Sequence, residues 1–327
     1  MKMSKIKKIG VLTSGGDSPG MNAAIRAVVR TGNYHGLEVF GIMRGYQGLI
    51  EDDIFRMESR SVANIIQRGG TMLKTARCKD FFDADGRKKA YENLKRRGID
   101  GLVVIGGDGS FKGALEFSKM CDIPFVGCPG TIDNDLFGTD FTIGYDTAIN
   151  TVVEAVDKIR DTAESHDRLF FVEVMGRDAG LIALRSGIGT GAEQILMPET
   201  KTDLDELVKR LRNKRKNKTS KIIIVAEGDE AGGAFKIAEQ VKVQLPDYDT
   251  RVMILGHIQR GGNPSAMDRV NSSRMGFAAV EALLSGKRNV MIGIVNKEIV
   301  FTPFEKAVKH RESLDPDLLR MLDILSI

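Results

Sequence analysis

The chain has 327 residues, of which 42% are hydrophobic, and its formal net charge at pH 7 is +4. This length can bury the core of two domains or of one large α/β unit, and the composition is not typical of disordered proteins. The small, evenly spread charge argues against a nucleic-acid surface. No apolar run approaches the roughly 20 residues that cross a bilayer. The cysteines Cys78, Cys121 and Cys128 form no CxxC pair, so we expect a soluble, reduced, cytoplasmic protein without a metal–thiolate site.

Short apolar, β-branched runs alternate with amphipathic segments along the chain. The run at residues 9–12 precedes a helical pattern at 21–29, and the run at 102–105 precedes another at 111–120. This alternation predicts a doubly wound, mainly parallel sheet whose ligands lie beyond the carboxyl ends of the strands. The longest helical segment, residues 145–164, is predicted to carry the chain into a second domain. Further strands are predicted at 37–43, 123–126, 169–174, 222–226, 252–255 and 290–295.

The first strand is followed by the loop TSGGDSPG at residues 13–20. Its glycines let backbone amides approach a phosphate at the amino end of the next helix. The loop lacks the GxGxxG spacing of dinucleotide-binding folds and the lysine of a P-loop. A plain strand-to-helix turn is the alternative interpretation.

Two further strands end in loops that are rich in glycine and oxygen atoms. The loop GGDGS at residues 106–110 carries Asp108, which is predicted to share Mg²⁺ with phosphate oxygens or, alternatively, to cap the helix. The loop PGTIDND at residues 129–135 carries Asp133 and Asp135, which suit a proton acceptor and a metal organiser. An Asx turn is the alternative for the second loop.

Arginines follow two later strands. Arg177 lies in the stretch MGRD at residues 175–178, and Arg260 lies in GHIQRGG at residues 256–262. The planar guanidinium group makes two hydrogen bonds to phosphate and remains charged. Together with the three glycine-rich loops, these cations predict phosphoryl transfer. Surface salt bridges are the alternative for both arginines.

The motifs TSGGDSPGMNAAIR, GGDGS, PGTIDND, EVMGRDAG and GHIQRGG follow one another in this order. In this respect the chain resembles the bacterial ATP-dependent 6-phosphofructokinases of glycolysis (the phosphofructokinase A family), from about residue 8 to residue 300. The resemblance implies the phosphofructokinase fold, with two similar three-layer α/β/α lobes, largely parallel sheets and a chain that crosses between them. The larger, ATP-binding lobe would comprise 1–142 and 256–304, and the smaller, fructose-6-phosphate-binding lobe 143–255 and 305–327.

The resemblance also implies catalytic roles. Asp133 would be the general base that takes the proton of the fructose 1-hydroxyl as this oxygen attacks the γ-phosphate of ATP, giving fructose 1,6-bisphosphate and ADP. Asp108 would hold Mg²⁺, and Asp135 would orient the metal and its water. Thr131, the Gly16 amide, Arg77 and Arg177 would stabilise the transferring phosphoryl group. The ATP site would be lined by Gly16, Arg77, Cys78, Gly107, Asp108, Gly109 and Ser110.

The sugar phosphate would be bound mainly by cations. The resemblance assigns this role to Arg168, Arg251, His257 and Arg260, with Met175 and Glu227 against the sugar. Arg168 and Arg251 would reach the site of a neighbouring subunit, which implies a homotetramer with shared active sites. The remaining substrate-binding positions would be Thr131, Ile132, Asp133, Gly176, Arg177, Ile258 and Gln259.

Two glycines bear on the phosphate donor. Relatives that use pyrophosphate usually carry aspartate after the Gly-Gly-Asp motif and lysine before Thr-Ile-Asp, where this chain has Gly109 and Gly130. The small residues would leave room for the α-phosphate and the adenosine. We therefore predict ATP rather than pyrophosphate as the donor.

The family has an effector site for ADP or phosphoenolpyruvate at a subunit interface. Its residues match Arg26, Arg30, Arg160, Lys216 and Lys218, with Glu193 as a metal ligand. The basic run at 209–218, which otherwise suggests the solvated end of a helix, would thus bind the effector. Asn64 and the pair Thr219-Ser220 differ from the residues that relatives commonly carry, so nucleoside-diphosphate activation is predicted to be weakened or altered.

Three other functions fit parts of the pattern. A related kinase could act on another sugar phosphate, on NAD or on a lipid, although the cluster at 257–260 argues against a lipid. A catalytically silent nucleotide sensor would not need Asp133. A nicotinamide-dependent dehydrogenase would need the GxGxxG motif and a ribose-binding acid, which the sequence lacks.

Overall fold

The predicted apolar runs form strands in the computed structural model, which describes residues 6–165, 168–213, 221–310 and 314–325. Each of the predicted runs overlaps a strand, so these predictions are confirmed. The strands are β1 (Lys8–Ser14), β2 (Glu38–Ile42), β3 (Ile54–Met57), β4 (Gly101–Gly106), β5 (Phe125–Pro129), β6 (Leu169–Val174), β7 (Gln194–Leu196), β8 (Lys221–Ala226), β9 (Thr250–Ile254), β10 (Val290–Val295) and β11 (Glu298–Pro303).

The helical predictions are also confirmed, and the helix at 145–164 has the predicted bounds. The helix predicted at 111–120 begins earlier, at Asp108. The helices are α1 (Met21–Tyr34), α2 (Tyr46–Glu51), α3 (Ala84–Arg97), α4 (Asp108–Ser118), α5 (Tyr145–Glu164), α6 (Leu181–Gly189), α7 (Leu204–Asn213), α8 (Gly233–Gln244), α9 (Ala266–Leu284), α10 (Phe304–Ala307) and α11 (Pro316–Leu325), with short 3-10 helices at Ser59–Val62, Asp80–Phe82 and Gly256–Arg260.

The chain divides into two units. The larger comprises Met1–Thr147 and Arg260–Glu312, and the smaller Ala148–Gln259 and Ser313–Ile327. The divisions follow Thr147, Gln259 and Glu312, whereas the sequence suggested divisions after 142, 255 and 304. All three divisions thus come later along the chain than expected, and the segment at 256–260 is split, with His257 in the smaller unit and Arg260 in the larger.

The larger unit is built on a seven-stranded sheet of order β11-β10-β5-β4-β1-β2-β3. Its pairs are parallel except β10 with β11 and β2 with β3 at the two edges. Alternate residues of β4 enter different cores: Val103 and Ile105 pack with α1 and α9, while Leu102 and Val104 pack with α3 and α4. A sheet covered on both faces explains why these strands are apolar throughout.

The smaller unit has a parallel sheet of order β7-β8-β6-β9. On one face, Leu169 and Phe171 of β6 pack against α7 and α8. On the other face lies α6, where a side chain at Gly187 would meet Ile195 of β7. Both units are therefore three-layered, as predicted. Within the described residues, no helix combines the length and apolar character needed to span a membrane.

Candidate active site

Three predicted loops begin at the same edge of the larger sheet. Ser14, the last residue of β1, pairs with Gly106 at the end of β4, and Gly106 pairs with Pro129 at the end of β5. The three strands are adjacent and parallel, so the loops that follow them emerge side by side. This edge is where ligands of doubly wound sheets bind.

The loop after β1 is held open by its neighbours. Thr75 Oγ1 donates to the Gly15 carbonyl at 2.6 Å, and Arg260 Nη1 donates to the Asp17 carbonyl at 3.3 Å. A side chain at Gly16 would come within 2.5 Å of Arg260 Nη1. The absence of a side chain at Gly16 therefore lets an arginine stand beside the loop, where its charge reaches an anion bound to the backbone amides.

The loop after β4 places an acid at the start of a helix. Gly107 precedes Asp108, the first residue of α4, and the Asp108 side chain is 31% exposed. Its Oδ2 lies 2.7 Å from Nζ of Lys112 one turn later. A side chain at Gly107 would lie 3.4 Å from Cβ of Thr131, so this loop directly borders the loop after β5.

The loop after β5 carries the buried carboxylate of Asp133, which is only 1% exposed. Its backbone N–H donates to Thr131 Oγ1 at 3.2 Å. Asp135 is half-buried, and Asn134 between them adopts a left-handed φ of 51°. The two acids therefore occupy different surroundings, as different chemical roles require.

The same loop is fixed from the segment that follows it. Thr142 Oγ1 donates to the Thr131 carbonyl at 2.6 Å, and the Ile143 N–H donates to the Pro129 carbonyl at 2.7 Å. Asn134 accepts from the Thr142 N–H at 2.7 Å. An Asx turn joins the side chain to the N–H two residues later, whereas the Asn134 bond spans eight residues, so it is not an Asx turn. The bond with that spacing is made by Thr131, which accepts from the Asp133 N–H, and both bonds help to position Asp133.

The two glycines of the donor prediction differ in their surroundings. A side chain at Gly109 would meet nothing within 4 Å, which supports the space inferred there. A side chain at Gly130 would instead lie 2.9 Å from Cε of Met21 and 3.2 Å from the Gly106 nitrogen. Gly130 therefore serves packing within the unit, and the expectation that it leaves room for the nucleotide is corrected.

The predicted nucleotide residues Arg77 and Cys78 follow a segment anchored to β1. Thr13 Oγ1 lies 2.9 Å from Thr71 Oγ1 and donates to the Lys74 carbonyl at 2.8 Å. Arg77 is exposed and Cys78 is half-buried. Burial raises the pKa of the Cys78 thiol above its ordinary value, which favours a neutral wall over a reactive thiolate.

In the smaller unit, the strand ends also align. Val174 of β6 pairs with Ala226 of β8, and Glu173 pairs with Ile254 of β9. Exposed polar side chains follow each of these strands, namely Arg177 after β6, Glu227 after β8 and His257 after β9. The sheet therefore presents an anion-binding cation, an acceptor and an imidazole at one edge.

Glu227 and Gln259 shape the turn that carries Arg177. Glu227 Oε1 accepts from the Arg177 N–H at 2.7 Å and the Gly176 N–H at 3.3 Å. Gln259 accepts from the Met175 N–H at 3.2 Å. Gly176 and Arg177 have φ values of 143° and 53°, and such strained backbone outside glycine is often retained at functional sites.

Besides Thr131 and Asp133, three further predicted substrate-binding residues have buried side chains. Ile132 and Gln259 are fully buried, and Met175 is 9% exposed. Gln259 donates to the Gly256 carbonyl at 3.0 Å besides accepting from Met175. Their described contacts are structural, so a substrate would meet these positions mainly through backbone atoms. Ile258 is exposed.

Arg168 and Arg251 lie near the amino ends of the strands of the smaller sheet, opposite the carboxyl ends that Arg177 follows. Arg168 precedes β6 and Arg251 is the second residue of β9, and both bond Asp249, at 2.8 Å and 3.0 Å. Hydrogen bonds from these arginines, Arg168 first, lower the pKa of Asp249. β6 runs from Leu169 to Val174, so at roughly 3.3 Å per residue its two ends are about 16 Å apart, and Arg177 follows the far end. Within one unit, Arg177 therefore cannot bind the same phosphate as Arg168 and Arg251.

The predicted effector residues fall in several places. Arg26 and Arg30 lie one turn apart on α1, and burial together with the charge of Arg30 lowers the pKa of Arg26. In the smaller unit, Arg160 donates to the Thr190 carbonyl, and Glu193 is buried. Asn64 has a left-handed φ of 56°. The predicted residues Lys216, Lys218, Thr219 and Ser220 lie outside the described residues.

The acids present fit a magnesium ion that is shared with a bound nucleotide. Within 6–165, 168–213, 221–310 and 314–325, no group of three or more His, Cys, Asp or Glu side chains could hold a metal ion alone. Mg²⁺ commonly takes one or two carboxylates and completes its shell with water and phosphate oxygens. Asp108, partly exposed beside two glycine loops, suits that arrangement.

The fold and the site define an α/β protein whose strand-end loops suit phosphate-bearing ligands. Comparison with protein families agrees with this class, because the model of the phosphofructokinase family matches residues 8–283. The chain belongs to the phosphofructokinase family.

Individual relatives cover nearly the whole chain. ATP-dependent 6-phosphofructokinase 2 of Bacteroides thetaiotaomicron is 58% identical over 326 residues, which cover 99% of this chain and 100% of the relative. ATP-dependent 6-phosphofructokinase 1 of Thermus thermophilus is 53% identical over 323 residues, with 98% and 100% covered. The chain therefore matches these relatives from end to end.

Solved structures share the fold. The T-state crystal structure of Pichia pastoris phosphofructokinase has a TM-score of 0.87 and 40% identity, covering 93% of this chain and 35% of the yeast chain. Pyrophosphate-dependent phosphofructokinase from Marinobacter aquaeolei has a TM-score of 0.84 at 23% identity, covering 98% and 91%. The second likeness concerns the fold alone. The predicted phosphofructokinase fold is confirmed.

Some supporting residues were not predicted from the sequence. The buried Asn22 donates to the carbonyls of Arg68 and Gly69 and accepts from the Met72 N–H at 2.7 Å, which ties the segment before Arg77 to α1. Asp268 was also missed. The pattern SAMD, with Ser265 three residues before Asp268, is a helix-start signal, but no local pattern reveals the distant partners of either residue.

Proposed function

We propose that this protein is an ATP-dependent 6-phosphofructokinase, which transfers the γ-phosphate of ATP to the 1-hydroxyl of fructose 6-phosphate in glycolysis. The observation that carries the proposal is Asp133, a buried carboxylate in one of the three loops that follow the adjacent parallel strands β5, β4 and β1 of the larger sheet. Relatives that match the whole chain at 58% and 53% identity carry this enzyme name.

Asp133 is the proposed general base. A carboxylate removed from bulk water accepts a proton from a hydroxyl placed against it, and burial keeps water from competing for that position. Thr131 Oγ1 already accepts the Asp133 N–H. Its own hydroxyl proton is therefore directed elsewhere and suits an oxygen of the transferring phosphoryl group.

Positive charge is supplied from several directions. The amides around Gly16 and the exposed Arg77 would contact the nucleotide, and Arg177, on the turn fixed by Glu227, would stabilise the transferring phosphoryl group. Asp108 would hold Mg²⁺, and Asp135 would orient its water. When bound, the ion neutralises charge on the β- and γ-phosphate oxygens. The larger unit thus binds ATP and the smaller one binds fructose 6-phosphate.

We further infer a homotetramer whose active sites are shared between subunits. Arg168 and Arg251 lie at the edge of the smaller sheet opposite Arg177 and Glu227. A sugar phosphate bound by all four residues therefore takes its arginines from two chains. His257 and Arg260 would complete phosphate binding. Arg168 and Arg251 would thus bind the substrate of a neighbouring subunit.

A separate effector site for ADP or phosphoenolpyruvate is also proposed. Arg26 and Arg30 form a like-charged pair on α1, and their mutual repulsion is relieved when an anion binds between them. Arg160 would contribute from the smaller unit and Glu193 would bind a metal. With Asn64 in place of the usual acid, the response to ADP would be weakened or altered.

The test is a coupled assay with purified protein, ATP, Mg²⁺ and fructose 6-phosphate, repeated with pyrophosphate, other sugar phosphates and NAD. The expected result is turnover with ATP and fructose 6-phosphate. Turnover with pyrophosphate and none with ATP would overturn the donor, and preference for another acceptor would overturn the substrate.

Subunit sharing is tested by mixing two impaired variants. Asp133→Asn and Arg168→Ala chains are unfolded, mixed and refolded together, beside each variant refolded alone. A shared site restores activity, because some sites of the mixed tetramer receive both Asp133 and Arg168. Activity in the mixture equal to the sum of the two variants refolded alone would contradict sharing.

A further inference from the structure

A buried carboxylate outside the predicted site joins separate segments of the larger unit. Asp268 lies in the first turn of α9 and is 3% exposed. Its Oδ1 accepts the Gly144 N–H at 2.8 Å, and its Oδ2 accepts the Thr147 N–H at 2.8 Å and the Thr147 hydroxyl at 2.5 Å. Asp268 therefore caps the start of α5, a helix other than its own.

The start of α5 continues directly from the support of the Asp133 loop. Thr142, Ile143 and Gly144 are consecutive, and the first two bond the carbonyls of Thr131 and Pro129. The third bonds Asp268. A shift at Gly144 would thus be transmitted over one or two residues to the backbone that positions Asp133.

Asp268 also lies beneath the loop after β1. A side chain at Gly20 would be 3.6 Å from Cβ of Asp268, and a side chain at Gly144 would be 2.5 Å from Cβ of Ser18. Gly20 has a φ of 111°, which suits glycine. Close packing at both glycines leaves little space for the loop to shift relative to α5.

Hydrogen bonds from α9 complete the junction. Ser265 Oγ accepts the Asp268 N–H at 3.1 Å and lies 2.5 Å from Asp146 Oδ2, to which it donates. The Ser265 N–H donates to Thr147 Oγ1 at 3.0 Å. Ser265 also connects the segment that carries Arg260 to α9. The loop after β1 and the starts of α5 and α9 therefore all meet at the Asp268 carboxylate.

We propose that Asp268 is a positioning residue for phosphoryl transfer. It holds the loop that carries Asp133 at a fixed distance from the loop after β1. The proposal rests on the function proposed above. The carboxylate is enclosed by Gly144, Thr147 and Gly20 rather than by a ligand surface. Its removal should therefore act on the alignment of reacting groups more than on substrate affinity, and lower kcat more than it raises KM.

The decisive variant is Asp268→Asn, which keeps the shape of the side chain. In either orientation the amide turns its NH₂ towards the N–H of Gly144 or of Thr147, so one backbone donor loses its acceptor. We expect kcat to fall by about tenfold or more, while both KM values change by less than about threefold.

Asp52→Asn is the matched control. Asp52 also joins elements of the larger unit, through ion pairs with Arg96 and Arg97 of α3, but it has no place among the three loops. The kcat of each variant is measured at a temperature equally far below its own Tm. An effect of lower overall stability is thereby separated from misalignment of the reacting groups. A kcat for Asp268→Asn within about twofold of wild type, or no lower than that of Asp52→Asn, would overturn the proposal.

A second readout does not depend on activity. Hydrogen exchange should be faster in Asp268→Asn than in wild type both at the amides of residues 142–147 and in the loop at 15–20, but unchanged for Asp52→Asn. Unchanged exchange in both segments would overturn the positioning role. An inactive wild-type enzyme would reject the proposed function, while the exchange result would still decide whether Asp268 holds the loops.

Discussion

The carboxyl edges of the two sheets are built in opposite ways. In the larger unit, Asp133 is buried and its loop is fixed by hydrogen bonds from Thr142 and Ile143. In the smaller unit, Arg177 and His257 are exposed. Proton removal requires one carboxylate in a defined, water-poor place, whereas an anion is bound by charges that reach outwards. Under the proposed function, the buried carboxylate would take the proton, and the exposed side chains would contact the phosphoryl group and the sugar phosphate.

The largest effect is expected at Asp133 in the larger unit. Asp133→Asn should lower kcat by roughly 10²-fold or more, because the amide cannot take the proton of the attacking hydroxyl. The measurement is steady-state kinetics with both substrates varied. The control is Asp140→Asn in the same segment, where the carboxylate accepts the Asn296 N–H and activity should persist. Equal rates for wild type and Asp133→Asn would remove the base assignment.

The exposed side chains of the smaller unit are tested at Arg177. Replacing it with alanine or glycine should lower kcat by about 10- to 10²-fold in both cases, because the same charge is lost. The φ of 53° at this position favours glycine over alanine by about 1 kcal/mol. The glycine variant should thus melt at the higher temperature. Different kcat values for the two variants would show that the backbone, rather than the charge, dominates.

A smaller effect should separate the two glycines. At Gly109 the space beyond the backbone is open, so Gly109→Asp should fold normally and raise the KM for ATP about tenfold through repulsion of phosphate. Gly130→Ala should instead lower stability by about 1–3 kcal/mol, because its methyl group would press on Met21. Thermal unfolding and ATP titrations check both. Normal stability of Gly130→Ala would contradict the packing role.

The last prediction is a pH dependence of stability. Burial raises the pKa of Asp268 from 3.8 to about 6; hydrogen bonds from Thr147 and Gly144 oppose this shift, and the charge of Asp146, the titratable neighbour among the described residues, adds to it. The native state therefore binds this proton more tightly than the unfolded state. The resulting stabilisation is complete below about pH 4 and is lost as the pH rises through about 6.

A shift of about two pKa units corresponds to roughly 3 kcal/mol at most. The Tm of wild type minus that of Asp268→Asn should thus decrease from about pH 4 to about pH 7 and then remain constant. The two proteins are melted in parallel across this range. A difference that grows with pH would mean that Asp268 is ionised more readily in the folded protein than burial implies.

Much of the fold could be predicted because the buried strands are continuous apolar runs. β3 and β11 were missed, since their exposed residues interrupt that pattern at the sheet edges. The three-residue β7 is too short to form a recognisable run. The bounds of α5 were predicted because its buried stripe, including Val152 and Val156, follows the helical period.

The placement of candidate site residues after strands was predictable, as at Asp108, Asp133 and Arg177, and their roles stay a prediction. Burial was not predictable at this level. The motif containing Gln259 gives no sign that its side chain turns inwards to bond Met175. Gly130 looks like Gly109 in a sequence, but the packing of Met21 decides its role. Asp268 is 121 residues from its partner Thr147, so only tertiary structure could reveal the pair.

The pairing of Arg168 and Arg251 on Asp249 has a consequence beyond recognition. Asp249 already holds both arginines in place on each chain. In the proposed tetramer, however, they bind the sugar phosphate in the active site of a neighbouring subunit. A lone subunit would carry the base without its full set of sugar-phosphate ligands. Specific activity should therefore fall when the enzyme is diluted below the dissociation constant of the tetramer. The activity per subunit would then depend on the enzyme concentration.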